Sequence, residues 1–432
     1  MKKIKNMKKT AFLMLLSLIT AFSAFSQEKY SLDDCYKIAI ENYPLNKSKE
    51  LNLKLSEQRI QNLKILTLPS VSLDARATYQ SDVMTIGVEF PMLPPSGQPV
   101  FPAPPYHNIY TELNVQQTIW DGGYAKYQKK IEESDYQVEI KNIEIEANKL
   151  KEQILESYFA ILNLDQQNEV IALSINSLRE QFKSIESAYK NGTITEVNVL
   201  QLQAEIIKLE QKLIEIESVK QTAYLVLYQL MGVNKAQEKK IMPITLNYVP
   251  NDTFTRYENE LFELQKTKID AYTNLLDVSK MPKIGAFAKI GYGNPGLNYF
   301  SGGWDTYYIV GANFTWKFFD WNETNRKKQI FTLQKNLIDN KEETFNKNIN
   351  TLLKRQSGEL EKLTSLIEKD KEIIEINTKI VENYNSQLKN GTITSSEYIT
   401  QWNKALIAEI TKKIHEIELE KAKALLELTT NK

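Results

Sequence analysis

The sequence predicts a mixed α+β membrane protein built from two tandem structural repeats, each holding two transmembrane β-strands and one long helical hairpin. Three observations predict it. The six residues Lys190-Asn191-Gly192-Thr193-Ile194-Thr195 recur as Lys389-Asn390-Gly391-Thr392-Ile393-Thr394, at an offset of 391 − 192 = 199. Each copy separates two apolar runs at heptad spacing. Each repeat also contains two stretches whose apolar residues alternate with a period of two, the strand pattern.

The six-residue repeat reads as the tip of a helical hairpin. Before the first copy come Ile171, Ile175, Leu178, Phe182, Ile185 and Tyr189, and after it Leu202, Ile206, Leu209, Leu213 and Ile216. Both sets advance by alternating steps of three and four, a seam running in and a seam running out. Gly192 and Gly391 stop the incoming helices because glycine takes the left-handed conformation without a Cβ clash. Thr193 or Thr195 is placed to N-cap the outgoing helix. Asn-Gly also marks β-hairpin turns, but the flanking period here is near 3.5.

Residues 1–26 read as a secretory signal. Five lysines (Lys2, Lys3, Lys5, Lys8, Lys9) precede a short apolar run, and Ala24-Phe25-Ser26 places small residues for cleavage before Gln27. The whole chain carries 54 basic and 54 acidic groups; without the five lysines the balance is 49 − 54 = −5. Such a surface argues against nucleic acid as a partner. One cysteine, Cys35, cannot form an intrachain disulfide. No stretch after the signal is long and apolar enough for a membrane-spanning helix.

The remaining elements follow in order. Residues 31–67 read as helix, with Ser31 as N-cap and a kink or break at Pro44. Pro69 ends it, and Val71, Leu73, Ala75, Ala77 and Tyr79 alternate as a first strand. Seven of the 13 prolines fall in residues 83–108, a loop that cannot lie inside a sheet. Ile109 to Ile119 form the second strand, completing a β-hairpin over 71–119. A proline-free helix then runs to Lys190, and its partner returns to about Leu230. The first repeat is therefore 27–232, with its tip at 190–195, and 233–253 is an irregular connector.

The second repeat, 254–432, replays the first. A helix runs to Lys280 and Pro282 breaks it. A β-hairpin spans 284–318, and a second long hairpin has its tip at 389–394, with a final seam that includes Ile407, Ile410, Ile414, Ile417 and Ala424. Phe319-Asp320-Trp321 stands 199 residues after Trp120-Asp121-Gly122.

Four strands leave two open edges, which cannot sit in lipid with unpaired backbone groups. Several chains must close one barrel, and three chains supply 12 strands, at or above the minimum of about eight for such barrels. Trp304, Tyr307, Tyr308, Trp316 and Trp321 fall near strand ends, where interfacial aromatics collect.

The order of these segments resembles the outer-membrane efflux protein family of TolC type. The carriers are SLDDCYKIAIENYPL at 31–45, LTLPSVSLDARATY at 66–79, IWDGG at 119–123, FFDWN at 318–322 and the two KNGTIT tips. The resemblance implies a homotrimer in the outer membrane of a Gram-negative bacterium, extending into the periplasm. Its 12-stranded barrel would be continued by a helical coiled-coil tunnel. It implies a passive exit duct of a tripartite efflux or type I secretion system, with outer-membrane lipid, a periplasmic adaptor and an inner-membrane transporter as partners.

By the same resemblance, the tips at Asn191, Gly192, Thr193, Asn390, Gly391 and Thr392 dock the adaptor. The first turns beyond them line a pore gate. Glu397 is the one acidic candidate. Asn198 stands at the matching position of the first tip, and Gln201 and Thr400 stand where the family often carries another carboxylate. Tyr189 matches an aromatic that braces the closed state, and Leu388 replaces it at the second tip.

No catalytic chemistry is proposed. The two histidines, His107 and His415, belong to no metal or triad pattern, and no metal or cofactor is expected. Gly291 to Gly296 fits a dinucleotide-loop spacing, but no helix begins there to meet a phosphate. The competing expectation is a periplasmic coiled-coil adaptor or structural envelope protein, which commonly has one hairpin rather than two.

Overall fold

A computed structural model describes residues 29–84, 104–234, 239–246, 256–299 and 303–430. The signal segment at 1–26, most of the proline-rich stretch and part of the connector lie outside the described residues. The chain divides into two compact units. One contains the described residues up to Lys49 with 141–260 and 343–430; the other contains 50–140 and 261–342.

Helix α1 spans Leu32–Asn42. Ser31 caps it as expected: its Oγ accepts from the Asp34 N–H at 3.1 Å, and the Asp34 carboxylate accepts from the Ser31 N–H at 3.0 Å. That reciprocal box satisfies two otherwise orphaned donors. Tyr43 is extended, with ψ 127°, because the residue before a proline is excluded from the helical region. Helix α2 then starts at Pro44 and runs to Ile65, so the break forecast at Pro44 separates two helices. Proline costs no hydrogen bond at a first helical position.

Strands β1 (Ser70–Tyr79) and β2 (His107–Trp120) pair antiparallel. Helix α3 is Tyr124–Lys190 and helix α4 is Glu196–Met231. Helix α5 (Tyr257–Val278) leads through Pro282 into β3 (Lys283–Asn294) and β4 (Asp305–Thr315). Helices α6 (Glu323–Lys389) and α7 (Ser395–Thr430) complete the chain. The hairpin arms match in length: 67 residues in both α3 and α6, and 36 in both α4 and α7. An α-helix of 67 residues is about 100 Å long.

The four strands form one sheet in the order β1-β2-β3-β4, every pair antiparallel. β4 is shorter than expected at its far end. The last β3–β4 pair is Lys283 with Thr315, and Pro282, before it, has no N–H to continue the ladder. Trp316 and Phe318 therefore lie outside the strand, and the Trp316 indole N–H donates instead to the Lys280 carbonyl at 3.0 Å.

The aspartates that leave each β-hairpin are helix caps. Asp121 accepts from the N–H groups of Gly123 and Ala125 at 2.7 and 2.8 Å, starting α3. Asp320 accepts from those of Asn322 and Thr324 at 3.1 and 3.0 Å, starting α6. The hydrogen bonds from Thr324, with help from Lys280, hold the Asp320 carboxyl well below the usual carboxylate range. Gly122 is required twice over: its φ is +75°, and a Cβ there would stand 2.9 Å from the Met281 Cβ. At the matching place in the second repeat Trp321 and Asn322 occupy the same left-handed region, at +51° and +64°.

In the first unit the core gathers where α1, α3, α4 and α7 meet, around Cys35, Ala39, Leu155, Tyr158, Leu227 and Ala424. The Tyr158 hydroxyl donates to the Met242 carbonyl at 2.6 Å, tying the connector to α3, and Tyr30 bridges to Ile241 as a short parallel pair. Burial pushes the Cys35 thiol up to about 12, so it packs as an apolar group and not as a nucleophile. The final seam differs from its forecast. Tyr398, Trp402 and Leu406 are buried, whereas Ile407 is exposed, because these three face Leu202 and Leu388 across the hairpins.

Candidate functional sites

The two tips have the same backbone. At the first, the Gly192 N–H donates to Tyr189 O and the Thr193 N–H to Ala188 O, at 2.8 and 3.0 Å. At the second, Gly391 donates to Leu388 O and Thr392 to Gln387 O, both at 3.0 Å. This is the Schellman ending, and both glycines have the positive φ it demands, +74° and +68°. The threonines that follow finish the incoming helices rather than capping the outgoing ones. Thr193 Oγ1 donates to Ala188 O at 2.7 Å and Thr392 Oγ1 to Gln387 O at 2.9 Å. Asn191 and Asn390 sit at the turn, exposed.

The tips diverge in what their side chains do. Thr195 is the N-cap of α4 but makes no side-chain bond to that helix's N–H groups. Its hydroxyl instead accepts from Asn198 Nδ2 at 3.1 Å. At the second tip Thr394 and Glu397 form a capping box. The Glu397 carboxylate accepts from the Thr394 N–H at 2.8 Å and from its hydroxyl at 2.9 Å. Those bonds hold the Glu397 carboxyl below its ordinary value, the backbone one foremost.

Asn198 also reaches across. Its Oδ1 accepts from the Ser395 N–H at 2.7 Å, so a side chain of the first tip caps the helix of the second. Two turns further, Asn403 Nδ2 donates to Glu205 Oε1 at 3.0 Å. A Cβ on Gly391 would lie 3.3 Å from the Thr193 carbonyl oxygen, whereas Gly192 has open space around it. Leu388 is fully buried in this junction, and Tyr189, at the matching position, is 40% exposed. The forecast gate residues thus split. Asn198 and Glu397 are tied into hydrogen bonds, Thr400 returns its hydroxyl to Ser396 O at 2.8 Å, and Gln201 keeps a buried Oε1 with no partner among the described residues. The cross-tip role of Asn198 was not visible in the sequence. The one available signal was its position: it matches Glu397 at the 199-residue offset but differs from it chemically.

The sheet is the second candidate site. Its register aligns the apolar residues of all four strands on one face. Leu73 pairs with Leu113, Leu113 with Ile290, and Ile290 with Tyr308; one step along, Val71, Val115, Ala288 and Val310 align. This face is open: Leu73 is 70% exposed and Val310 73%. Aromatic side chains stand at both ends of it. Tyr79 stacks on Tyr106 and Tyr292 on Trp304 at one end, with ring centroids 6.2 and 5.1 Å apart. Trp120, Trp316 and Phe318 stand at the end nearest the helices.

The opposite face is polar. The Tyr307 hydroxyl donates to Glu112 at 2.8 Å, Lys289 stands 3.8 Å from the same carboxylate, and Asn114 donates to Asp74 at 2.5 Å. Tyr307, expected among the interfacial aromatics, belongs to this face instead. It lies over Gly291, where any Cβ would fall 2.3 Å from its ring. A Cβ on Gly293 would meet Tyr110 and one on Gly296 would meet Asp305, each at 2.7 Å, so close packing accounts for the glycine spacing at 291–296 without a nucleotide. Both edge strands, β1 and β4, have one side without a partner strand in the sheet order. Among the described residues no helix is long and apolar enough to cross a membrane, and no group of side chains is arranged to hold a metal ion.

Comparison with known proteins agrees with this arrangement. No curated protein matches the sequence. Among solved structures, CusC aligns over 95% of this chain and 96% of its own, with a TM-score of 0.71 at 11% identity. The CmeC outer membrane channel of Campylobacter jejuni aligns over 92% and 85%, with a TM-score of 0.66 at 13% identity. The outer membrane protein VceC of Vibrio cholerae aligns over 92% and 94%, with a TM-score of 0.63 at 14% identity. Residues 35–233 match the family of outer membrane efflux proteins, and the fold in which they stand is that of the TolC-type outer-membrane channels.

Proposed function

We propose that this chain is one third of a homotrimeric exit duct in the outer membrane of a Gram-negative bacterium. Three four-stranded sheets close a 12-stranded barrel, and the helical hairpins continue it as a tunnel in the periplasm. The observation that carries this reading is the sheet: one continuous exposed apolar face, one polar face and two unpaired edges. Lipid accepts the first face, water in a lumen accepts the second, and only pairing with further copies satisfies the edges. The repeats divide at 27–232 and 254–432, with 233–253 between them and a signal at 1–26.

The duct conducts cargo passively from an inner-membrane transporter, through a periplasmic adaptor that meets the tips at 190–195 and 389–394. Glu397 supplies a ring of three carboxylates at the periplasmic mouth, flanked by Asn198, Gln201, Thr400 and Tyr189. The capping box keeps each carboxylate ionised, which favours cations at the constriction. Purified full-length protein in planar bilayers tests the duct. Discrete, long-lived conducting steps are expected, and a protein that partitions into the bilayer without conducting contradicts the reading.

A further inference from the structure

The starts of α3 and α6 carry clusters of basic residues behind their aspartate caps. Apart from α3, α2 is the only helix among the described residues whose first turn holds no acid. Helix N-termini favour acidic residues, because the aligned peptide dipoles place partial positive charge there. Helices α1, α4, α5 and α7 comply, with Asp33, Glu196, Glu258 and Glu397 in their first turns. α3 opens with Lys126, Lys129 and Lys130 and has no acid in its first turn. α6 opens with Arg326, Lys327 and Lys328 against the single Glu323. These are the two helices that leave the sheet. Lys126 and Lys130 lie near the Tyr127 ring, at 5.9 and 5.5 Å, and Arg326 donates to the Trp321 carbonyl at 2.9 Å. None of these three has a carboxylate partner among the described residues.

The same end of the sheet carries exposed aromatic side chains beyond the ladder. Trp316 packs against Phe318, and Phe319 meets Trp321 edge-on, with centroids 5.9 and 4.9 Å apart. Trp321 is 79% exposed and is held in a left-handed conformation that bulky residues avoid. Arg326 binds its backbone and so fixes this display. A water-facing surface gives no reason for unpaired cations at helix starts and a strained, exposed tryptophan together. A layer that is apolar on one side and anionic on the other gives a reason for both.

We infer that this end of the sheet is a basic and aromatic collar that binds the anionic phospholipid headgroups of the periplasmic leaflet. The inference rests on the membrane-spanning reading above, which sets the apolar face of the sheet in lipid. The aromatics seat at the acyl–headgroup boundary. Lys126, Lys130 and Arg326 meet the phosphates beneath them, selecting phosphatidylglycerol-type lipid over zwitterionic lipid.

Tryptophan quenching by brominated lipid tests it on the full-length protein reconstituted in vesicles. At low salt, brominated phosphatidylglycerol should associate about three- to tenfold more strongly than brominated phosphatidylcholine. That preference should shrink as ionic strength rises. The triple variant Lys126→Gln, Lys130→Gln, Arg326→Gln should bring the ratio close to one. Equal quenching by both lipids in the unaltered protein overturns the collar while leaving the sheet in the bilayer, and so does a preference that survives the triple variant. If neither lipid quenches, the membrane-spanning reading fails and the collar fails with it. The salt series on the unaltered protein needs no variant to fold.

Discussion

At the scale of single residues, two identical six-residue tips carry different burdens. Replacing either glycine with valine forces a β-branched residue to positive φ, a cost on the order of 1–2 kcal/mol. Gly391→Val also drives a side chain against the Thr193 carbonyl, while Gly192→Val extends into open space. Thermal denaturation should therefore rank Gly391→Val as the more damaging of the two. If adaptor docking uses both tips, both variants should lower export while the amount of assembled protein in the membrane stays unchanged.

Glu397 gives a second residue-scale prediction. Its carboxyl sits below its ordinary value in the folded state, so the cap stabilises the tip above the unfolded pKa of about 4.3. That contribution disappears as pH falls through the folded pKa. Glu397→Gln should abolish this acid-linked loosening of the second tip, read by amide exchange at Ser395 and Ser396 between neutral and acid pH. In single-channel recordings the same variant should reduce cation selectivity. Unchanged selectivity would remove Glu397 from the gate and leave it a helix cap.

At the scale of elements, Asn198 links two hairpins and Asp121 starts one. Asn198→Ala removes the acceptor for the Ser395 N–H, a loss of about 1 kcal/mol. Exchange of that amide should accelerate about fivefold while α4, the helix that carries residue 198, stays protected. Asp121→Ala should cost about 1 kcal/mol of stability, the usual price of an N-cap.

Much of this level was legible beforehand. The period of two located all four strands, the heptad seams located the hairpins, and Pro69 and Pro282 marked the passages into the sheet. Three things were not legible, each for a physical reason. Where β4 stops depends on its neighbour, since Pro282, just before β3, ends the ladder for both strands. Which face of α7 is buried depends on packing with the other hairpin, so Leu406 could not be preferred over Ile407 from spacing alone. The bond from Asn198 to Ser395 joins residues 197 positions apart in two stretches that read alike.

At the scale of the whole molecule, the sheet by itself is incomplete. Its apolar face would expose Leu73, Ile290, Tyr308 and Val310 to water, and its edge strands would leave backbone donors and acceptors without partners. Lipid covers the apolar face, and closure by identical copies satisfies the edges, because each β4 edge can pair antiparallel with the β1 edge of the next chain. With four strands per chain, the proposed 12-stranded barrel takes three chains. Crosslinking of the intact protein in native outer membranes, resolved by mass, tests this count most directly. The account predicts a ladder that ends at three chains, with no stable membrane-inserted monomer; a dominant monomer, or a closed ring of any other number, would contradict it.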